Sequence, residues 1–313
     1  MQKLLIVGGG YTSIDLAYRL KHKFLITIIE PNKDFLHYIG SLRGFVNAEF
    51  EKKLHFSYKN YNVIHSFVKS VDFVNHTALL NYGELFKYDL IVIATGVKHG
   101  VFSNHKLSSR IANSNKILIE GGGPIGIELA GEIHYSNPNK EITLLHNKEL
   151  LLDQRYNNKL RIKLTELVAS KINLLLYPHL VDKSEYDLVI KSYGLVPNTT
   201  FIDKQYIDLQ GYIRVNNNLS IINTVDAYSI GDCNDIELVK TLINGYRQSS
   251  FLANYLINKR GVYRPVKEQI LAIPFGPNEG FSSVYFGIVA GSTFTRLVKG
   301  IDLKLNLISK YFD

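Results

Sequence analysis

Residues 117–133 read ILIEGGGPIGIELAGEI, and residues 4–20 read LLIVGGGYTSIDLAYRL. Each stretch is a short apolar run that ends in three glycines and passes into helically spaced apolar residues, the pattern of a strand turning sharply into a helix. Glycines recur at such a turn because Cβ atoms would hold a ligand's phosphates away from the N–H groups at the helix start. One such turn serves one dinucleotide. Two of them predict a chain that grips two dinucleotides at once.

Working outward from the first turn, Leu4–Val7 reads as a buried strand, Tyr11–Lys21 as a helix and Leu25–Ile29 as a second strand, together a βαβ unit. Gly8 and Gly10 occupy the first two motif positions, and Ser13 stands at the third. Glu30 lies at the tip of the second strand, 22 positions after Gly8, where a carboxylate can accept hydrogen bonds from both hydroxyls of an adenosine ribose. The second unit has Lys116–Glu120 as strand, a complete Gly121, Gly123 and Gly126, a helix from about Ile125 to His134 and a strand over Glu141–Leu145. Its strand tip is His146 rather than an acid. Since a carboxylate there would repel a 2′-phosphate, His146 with Lys148 nearby predicts that both NADH and NADPH are accepted.

Three further segments fix the order of the chain. YDLIVIATGVKH (88–99) is a buried strand running into Thr95 and Gly96, where the chain leaves the first nucleotide unit. KSYGLVPN (191–198) is a second exit of the same kind. VDAYSIGDCND (225–235) brings a strand to Gly231 and Asp232, where the aspartate can hold the ribityl hydroxyls of a flavin, and a helix is expected from about Val239 to Asn258. That helix's N-terminus, with Lys240 beside it, would stabilise negative charge on a reduced flavin, which makes Lys240 a catalytic candidate. An antiparallel excursion is expected around Val63–Tyr88. Only about ten residues separate Leu174–Leu176 from Asp187–Ile190.

This order resembles the two-dinucleotide-binding-domain flavoproteins, and within them the apoptosis-inducing-factor-like, ferroptosis-suppressor branch close to the type II NADH:quinone oxidoreductases. The stretches that carry the likeness are FLHYIGSLRGFV (35–46), FEKKLHFSY (50–58), ITLLHNKELLL (142–152), VDAYSIGDCND and the tail with RLVKGIDL. The fold class expected is therefore α/β, with two Rossmann-like domains arranged as in glutathione reductase and a C-terminal module. An FAD-binding domain over 1–108 and 206–264, an inserted NAD(P)H-binding domain over 109–205 and a C-terminal interface module over 265–313 follow from the segment order. The resemblance implies FAD as cofactor, NADH or NADPH as co-substrate and a quinone-type acceptor. It also implies that Glu128 approaches the nicotinamide end. Relatives carry a longer meander in the nicotinamide domain, so the second domain here reads as trimmed.

Composition narrows the chemistry. A single cysteine, Cys233, excludes a dithiol relay and an internal disulfide, and suits a reducing, cytoplasmic setting. No apolar run approaches the about 18 residues of a membrane span, and MQKLLIV enters a strand without a basic leader, so no secretory signal is expected. The formal charge of +8 and pI near 9.2 attract phosphates, anionic lipid and nucleic acid alike, but the basic residues are scattered as on a solvated surface. Phe275, Phe281, Tyr285, Phe286 and Phe294 supply a flat slot for a quinone ring, ordinary core or a dimer interface. The tail RLVKGIDLKLNLISKYF mixes cationic and apolar residues, so it suits either peripheral membrane contact or a covered C-terminal strand or helix. Two rival functions stay open on sequence: a flavin-bearing structural or regulatory protein with a degenerate nicotinamide site, and a basic nucleic-acid or membrane-associated binder. The oligomeric state is not legible.

Overall fold

The computed structural model describes residues 1–102, 106–177, 180–266 and 271–313. Two parallel sheets organise it. The first has the strand order Ala227–Ser229, Leu90–Ile93, Lys3–Val7, Leu25–Ile29, Val63–Ile64, every pair parallel. The second runs Asn173–Leu176, Glu141–His146, Lys116–Glu120, Leu188–Lys191, again all parallel.

Apolar residues are continuous in the central strands because both faces of each sheet are covered. Leu4 and Ile6 point into a core shared with the first glycine helix, Tyr11–Leu20, and with the long helix Leu242–Asn258. Leu5 and Val7 point the other way, onto Phe73, Ala78 and Leu80 of the antiparallel excursion. That excursion is a three-stranded sheet of Val68–Asp72, Thr77–Leu80 and Leu85–Lys87, where the sequence predicts one. The second sheet has its own core, built from Ile117, Ile119 and Leu144 against Ile127, Leu129 and Ile133 of the second glycine helix, Pro124–Ser136.

The long helix begins at Leu242, not at about Val239. Thr241 takes an extended conformation and its hydroxyl accepts the Asn244 N–H at 3.2 Å, which fixes the start by capping. Between Leu176 and Leu188 the described residues hold a single 3₁₀ turn, Lys183–Glu185, so the second sheet is compact as the spacing predicts.

The two sheets meet where the chain crosses between them. Val97–His99 pairs antiparallel with Leu195–Pro197. At the same place the Thr95 hydroxyl donates to the Asn198 carbonyl (2.7 Å), and the Asn198 side chain donates to the Thr95 carbonyl (2.9 Å). Residues after 270 form the antiparallel strands Leu271–Phe275, Glu279–Ser283 and Val289–Ala290, which pack on the second core. Gly131 is required there, since a Cβ would lie 2.3 Å from the Gly276 nitrogen. The chain then turns through a π-helix at Arg296–Gly300, and its end returns Ile308 and Phe312 to the first core. The tail is thus folded against the protein.

Candidate functional site

Both glycine turns open on one cavity of about 1800 Å³. Gly8, Gly10, Glu30, Thr95, Gly96, Asp232 and Lys240 reach it from the first sheet's side, and Gly121, Gly123, Glu128 and His146 from the second's. Ser13, Gly126 and Gly231 stand behind its wall, where they set packing.

The two turns are built alike. Gly8 and Gly121 have φ of +102° and +113°, and a Cβ at Gly8 would lie 2.6 Å from the Ala94 carbonyl oxygen. A Cβ at Gly126 would fall 1.9 Å from the Gly121 carbonyl oxygen. At Gly10 and Gly123 a Cβ would meet nothing within 4 Å. The motif's middle glycines therefore face open space at a helix start, as close approach of a pyrophosphate requires, and the residues present fit the dinucleotides. At the third position of the first turn, Ser13 is fully buried and its hydroxyl has no partner among the described residues.

The strand tips differ. Glu30 Oε2 accepts the Gly9 N–H at 2.7 Å, and Oε1 accepts the Asn32 backbone and side-chain N–H groups at 2.9 and 2.6 Å. Tyr58 donates to the Gly9 carbonyl at 2.9 Å, and burial pushes its phenol far up. At the other tip, His146 Nδ1 accepts the Gly122 N–H at 3.2 Å, so Nε2 carries the hydrogen and donates to the Leu152 carbonyl at 3.3 Å. Burial holds this imidazole below its ordinary value, helped by the charges of Arg161 and Lys148.

Asp232 is half-buried and its carboxyl makes no hydrogen bond among the described residues. Burial pushes it up, and nearby Lys240 opposes that shift. A carboxyl lining a cavity without a protein donor suits the hydroxyl-rich chain of a flavin. Lys240 precedes the capped helix and its Nζ donates to the Asn234 carbonyl at 2.5 Å, 4.5 Å from the centre of the Tyr212 ring. Burial lowers its ammonium. The Thr95 hydroxyl is spent on Asn198, so this residue's part is to join the two crossovers.

Glu128 is buried in the second turn of its helix and ion-paired with Lys299 of the tail, both lining the cavity. Burial raises its carboxyl and the Lys299 charge lowers it, the former prevailing. One helical turn on, Glu132 receives Arg43 in a two-point contact at 2.8–3.2 Å, and Arg43 also donates to the carbonyls of Gly300 (2.7 Å) and Ile301 (2.8 Å). Sequence reading missed Lys299, Arg43 and Glu132. Two acids spaced i, i+4 on the face of a buried helix were the available signal that cations must come from elsewhere.

The five tail aromatics do not form one slot. Phe275 is fully buried against His134 and Tyr135, Phe281 packs on the second core, and Tyr285 and Phe286 are exposed. Phe294 alone of the five lines the cavity, as do Tyr38 and Phe102, which meet edge to face at 5.4 Å. Cys233 is buried beneath Ile93 and Ser229.

The family model for pyridine nucleotide-disulphide oxidoreductases matches residues 99–249. Apoptosis-inducing factor homolog B of Dictyostelium discoideum is 26% identical over 369 residues, covering 96% of this chain and 94% of that protein. Ferroptosis suppressor protein 1 of Homo sapiens is 27% identical over 349 residues, with 96% and 93% covered. Over nearly its whole length this chain is similar to apoptosis-inducing-factor-like flavoproteins. Among solved structures, the sulfide:quinone oxidoreductase of Aquifex aeolicus superposes with a TM-score of 0.80 at 15% identity, over 100% of this chain and 90% of that one. The flavoprotein accordingly has the α/β fold of FAD- and NAD-binding oxidoreductases, uses FAD and NAD(P)H, and is an FAD-dependent NAD(P)H oxidoreductase. Both relatives align over more positions than the 313 residues of this flavoprotein, so they carry segments that it lacks. No described helix is long and apolar enough to cross a membrane.

Proposed function

We propose that the chain is an NAD(P)H:quinone oxidoreductase. The observation that carries this is the single cavity joining both glycine turns, with a buried Glu128–Lys299 pair in its wall. When bound, the flavin supplies the two-electron chemistry between a nicotinamide nucleotide and a quinone.

The chain's own residues bind and orient. Gly8, Gly10 and Gly96 give backbone access to FAD, Ser13 and Gly231 set the packing behind, Glu30 receives the ribose and Asp232 the ribityl hydroxyls. Thr95 locks the crossover through Asn198. Lys240 and the helix behind Thr241 present positive potential on the FAD side of the cavity. Gly121, Gly123 and Gly126 form the nicotinamide-nucleotide turn, with His146 at its ribose end. Glu128 is held near the reacting end by Lys299, where it can position a carboxamide or pass a proton. On this reading, residues 1–108 and 206–264 form the FAD domain, 109–205 the NAD(P)H domain and 265–313 the C-terminal module.

With one buried cysteine, electrons have no thiol relay to follow. Apolar residues exposed at Tyr285, Phe286, Ile288, Leu297 and Ile301, beside Arg296, support peripheral contact with a membrane that holds a lipid-soluble quinone.

Stopped-flow mixing of the FAD-loaded protein with NADH or NADPH tests the proposal. Bleaching of the flavin absorbance, followed by its recovery on adding a short-chain quinone, is expected. A flavin that stays oxidised, or one reoxidised by oxygen as fast as by quinone, would overturn it. Flotation with anionic liposomes tests the membrane contact.

A further inference from the structure

We propose that this protein prefers NADPH to NADH, its 2′-phosphate being received by Lys148 and Arg161 in a side cavity that opens off the nucleotide site. The inference rests on reading the second glycine turn as the nicotinamide-nucleotide site.

An NAD-type ribose site needs an acceptor for the 2′-hydroxyl at the strand tip. Here both ring nitrogens of His146 are engaged by the protein, Nδ1 by Gly122 and Nε2 by Leu152, so it offers the hydroxyl nothing. Immediately beyond lies a second cavity of about 740 Å³, lined by Asn147, Lys148, Arg155, Arg161 and Tyr177 together with Gln154 and two acids. Asn147, Lys148, Asp153 and Arg155 also line the main cavity, so a group carried on the ribose at His146 can enter the smaller one.

The charge there suits an anion. Asp153 is neutralised by Arg155, with Nε to Oδ1 at 2.9 Å and Nη2 to Oδ2 at 2.5 Å. Glu149 is an exposed acid on the rim. Neither Lys148 nor Arg161 makes a salt bridge among the described residues, although the Arg161 charge also acts on Asp153 beside it. Arg161 is half-buried and anchored through Nε to the Leu151 carbonyl (3.4 Å) and Nη1 to Asn158 Oδ1 (3.2 Å). That anchoring leaves Nη2 uncommitted on a guanidinium already held in place. A fixed planar guanidinium and a mobile ammonium on one cavity are the donor set that takes up a phosphate monoester. At the first turn the strand tip carries Glu30, whose carboxylate would repel a phosphate.

Calorimetric titration of the FAD-loaded protein with 2′,5′-ADP and 5′-ADP separates nucleotide binding from turnover. The 2′-phosphorylated nucleotide is expected to bind at least about tenfold tighter. Arg161→Gln should abolish most of that ratio and Lys148→Gln part of it, while 5′-ADP binding stays within about twofold and shows that the variants are folded. The ratio of kcat/KM for NADPH over NADH should fall in parallel. Equal affinity of the two nucleotides for the parent protein, or a ratio indifferent to Arg161→Gln, overturns the proposal while leaving the second turn as a nucleotide site. Binding of neither nucleotide overturns that reading and the proposal together.

Discussion

The two glycine turns match position for position in sequence, yet their surroundings differ. Offset by 113 residues, Gly8 matches Gly121, Gly10 matches Gly123 and Ser13 matches Gly126. Two residues further, Asp15 matches Glu128, and each is a buried acid tied to the C-terminal tail. Asp15 receives Tyr311 at 2.7 Å, Arg19 of its own helix at 2.7 Å and Ser249. Glu128 receives Lys299 and faces the cavity. The first helix thus spends its acid on structure, satisfied by hydroxyls and a local arginine. The second keeps its acid at the site, with one distant counterion. A duplicated element has one copy fixed and the other left chemically available, and the tail reaches both.

The largest test of that contrast is to remove the counterion. Lys299→Met leaves the Glu128 carboxylate buried without its cation, which should cost about 3 kcal/mol in chemical denaturation, part of it recovered at low pH as Glu128 protonates. Asp15 would keep two donors, Arg19 and Ser249, so Tyr311→Phe should cost only about 1 kcal/mol.

The third glycine position sharpens the comparison next. Gly126→Ala places a Cβ against the Gly121 carbonyl and should cost about 2 kcal/mol and most nicotinamide-nucleotide affinity, measured by calorimetry. Ser13→Ala at the matching site removes a buried hydroxyl that has no partner, and FAD retention with a thermal shift within about 1 kcal/mol of zero is expected.

The histidines of the two sides are bonded alike, each with Nε2 donating to a carbonyl and each lowered by burial. His37, beside the first turn, accepts Tyr11 O–H on Nδ1 at 3.0 Å and donates from Nε2 to the Leu303 carbonyl at 2.8 Å. Burial pushes its imidazole down to about 4. In the unfolded chain it takes up a proton near 6.5, so between these values the unfolded state holds more protons and acidification destabilises the fold. The full contribution is present above about pH 6.5, and up to about 3 kcal/mol is lost as the pH falls to about 4, read from urea midpoints across that range. His37→Gln should flatten that slope.

The smallest effects concern the strand tips. Glu30→Gln should weaken FAD retention about tenfold, since an amide cannot accept from Gly9, Asn32 and a ribose together. His146→Gln should change 5′-ADP affinity by no more than about threefold, because the imidazole is turned toward its own loop.

Periodicity and glycine spacing determined by themselves that there are two strand–turn–helix units, which residues open them, and that a third strand runs into a turn at Gly231 and Asp232. Those are local facts: a buried strand must be apolar on both faces, and a turn with φ near +100° must be glycine. The residue spacing also made the compact second sheet legible. What required the tertiary structure was every contact made across sequence. Lys299 meets Glu128 from 171 positions away, Arg43 meets Glu132 from 89, and Thr95 binds Asn198 rather than a ligand. Phe275 is core while Phe294 lines the cavity, although both are aromatic residues of one tail. Side-chain type tells what a residue can do, but burial and partner are set by which distant segments the fold brings alongside, and no spacing within one segment encodes that.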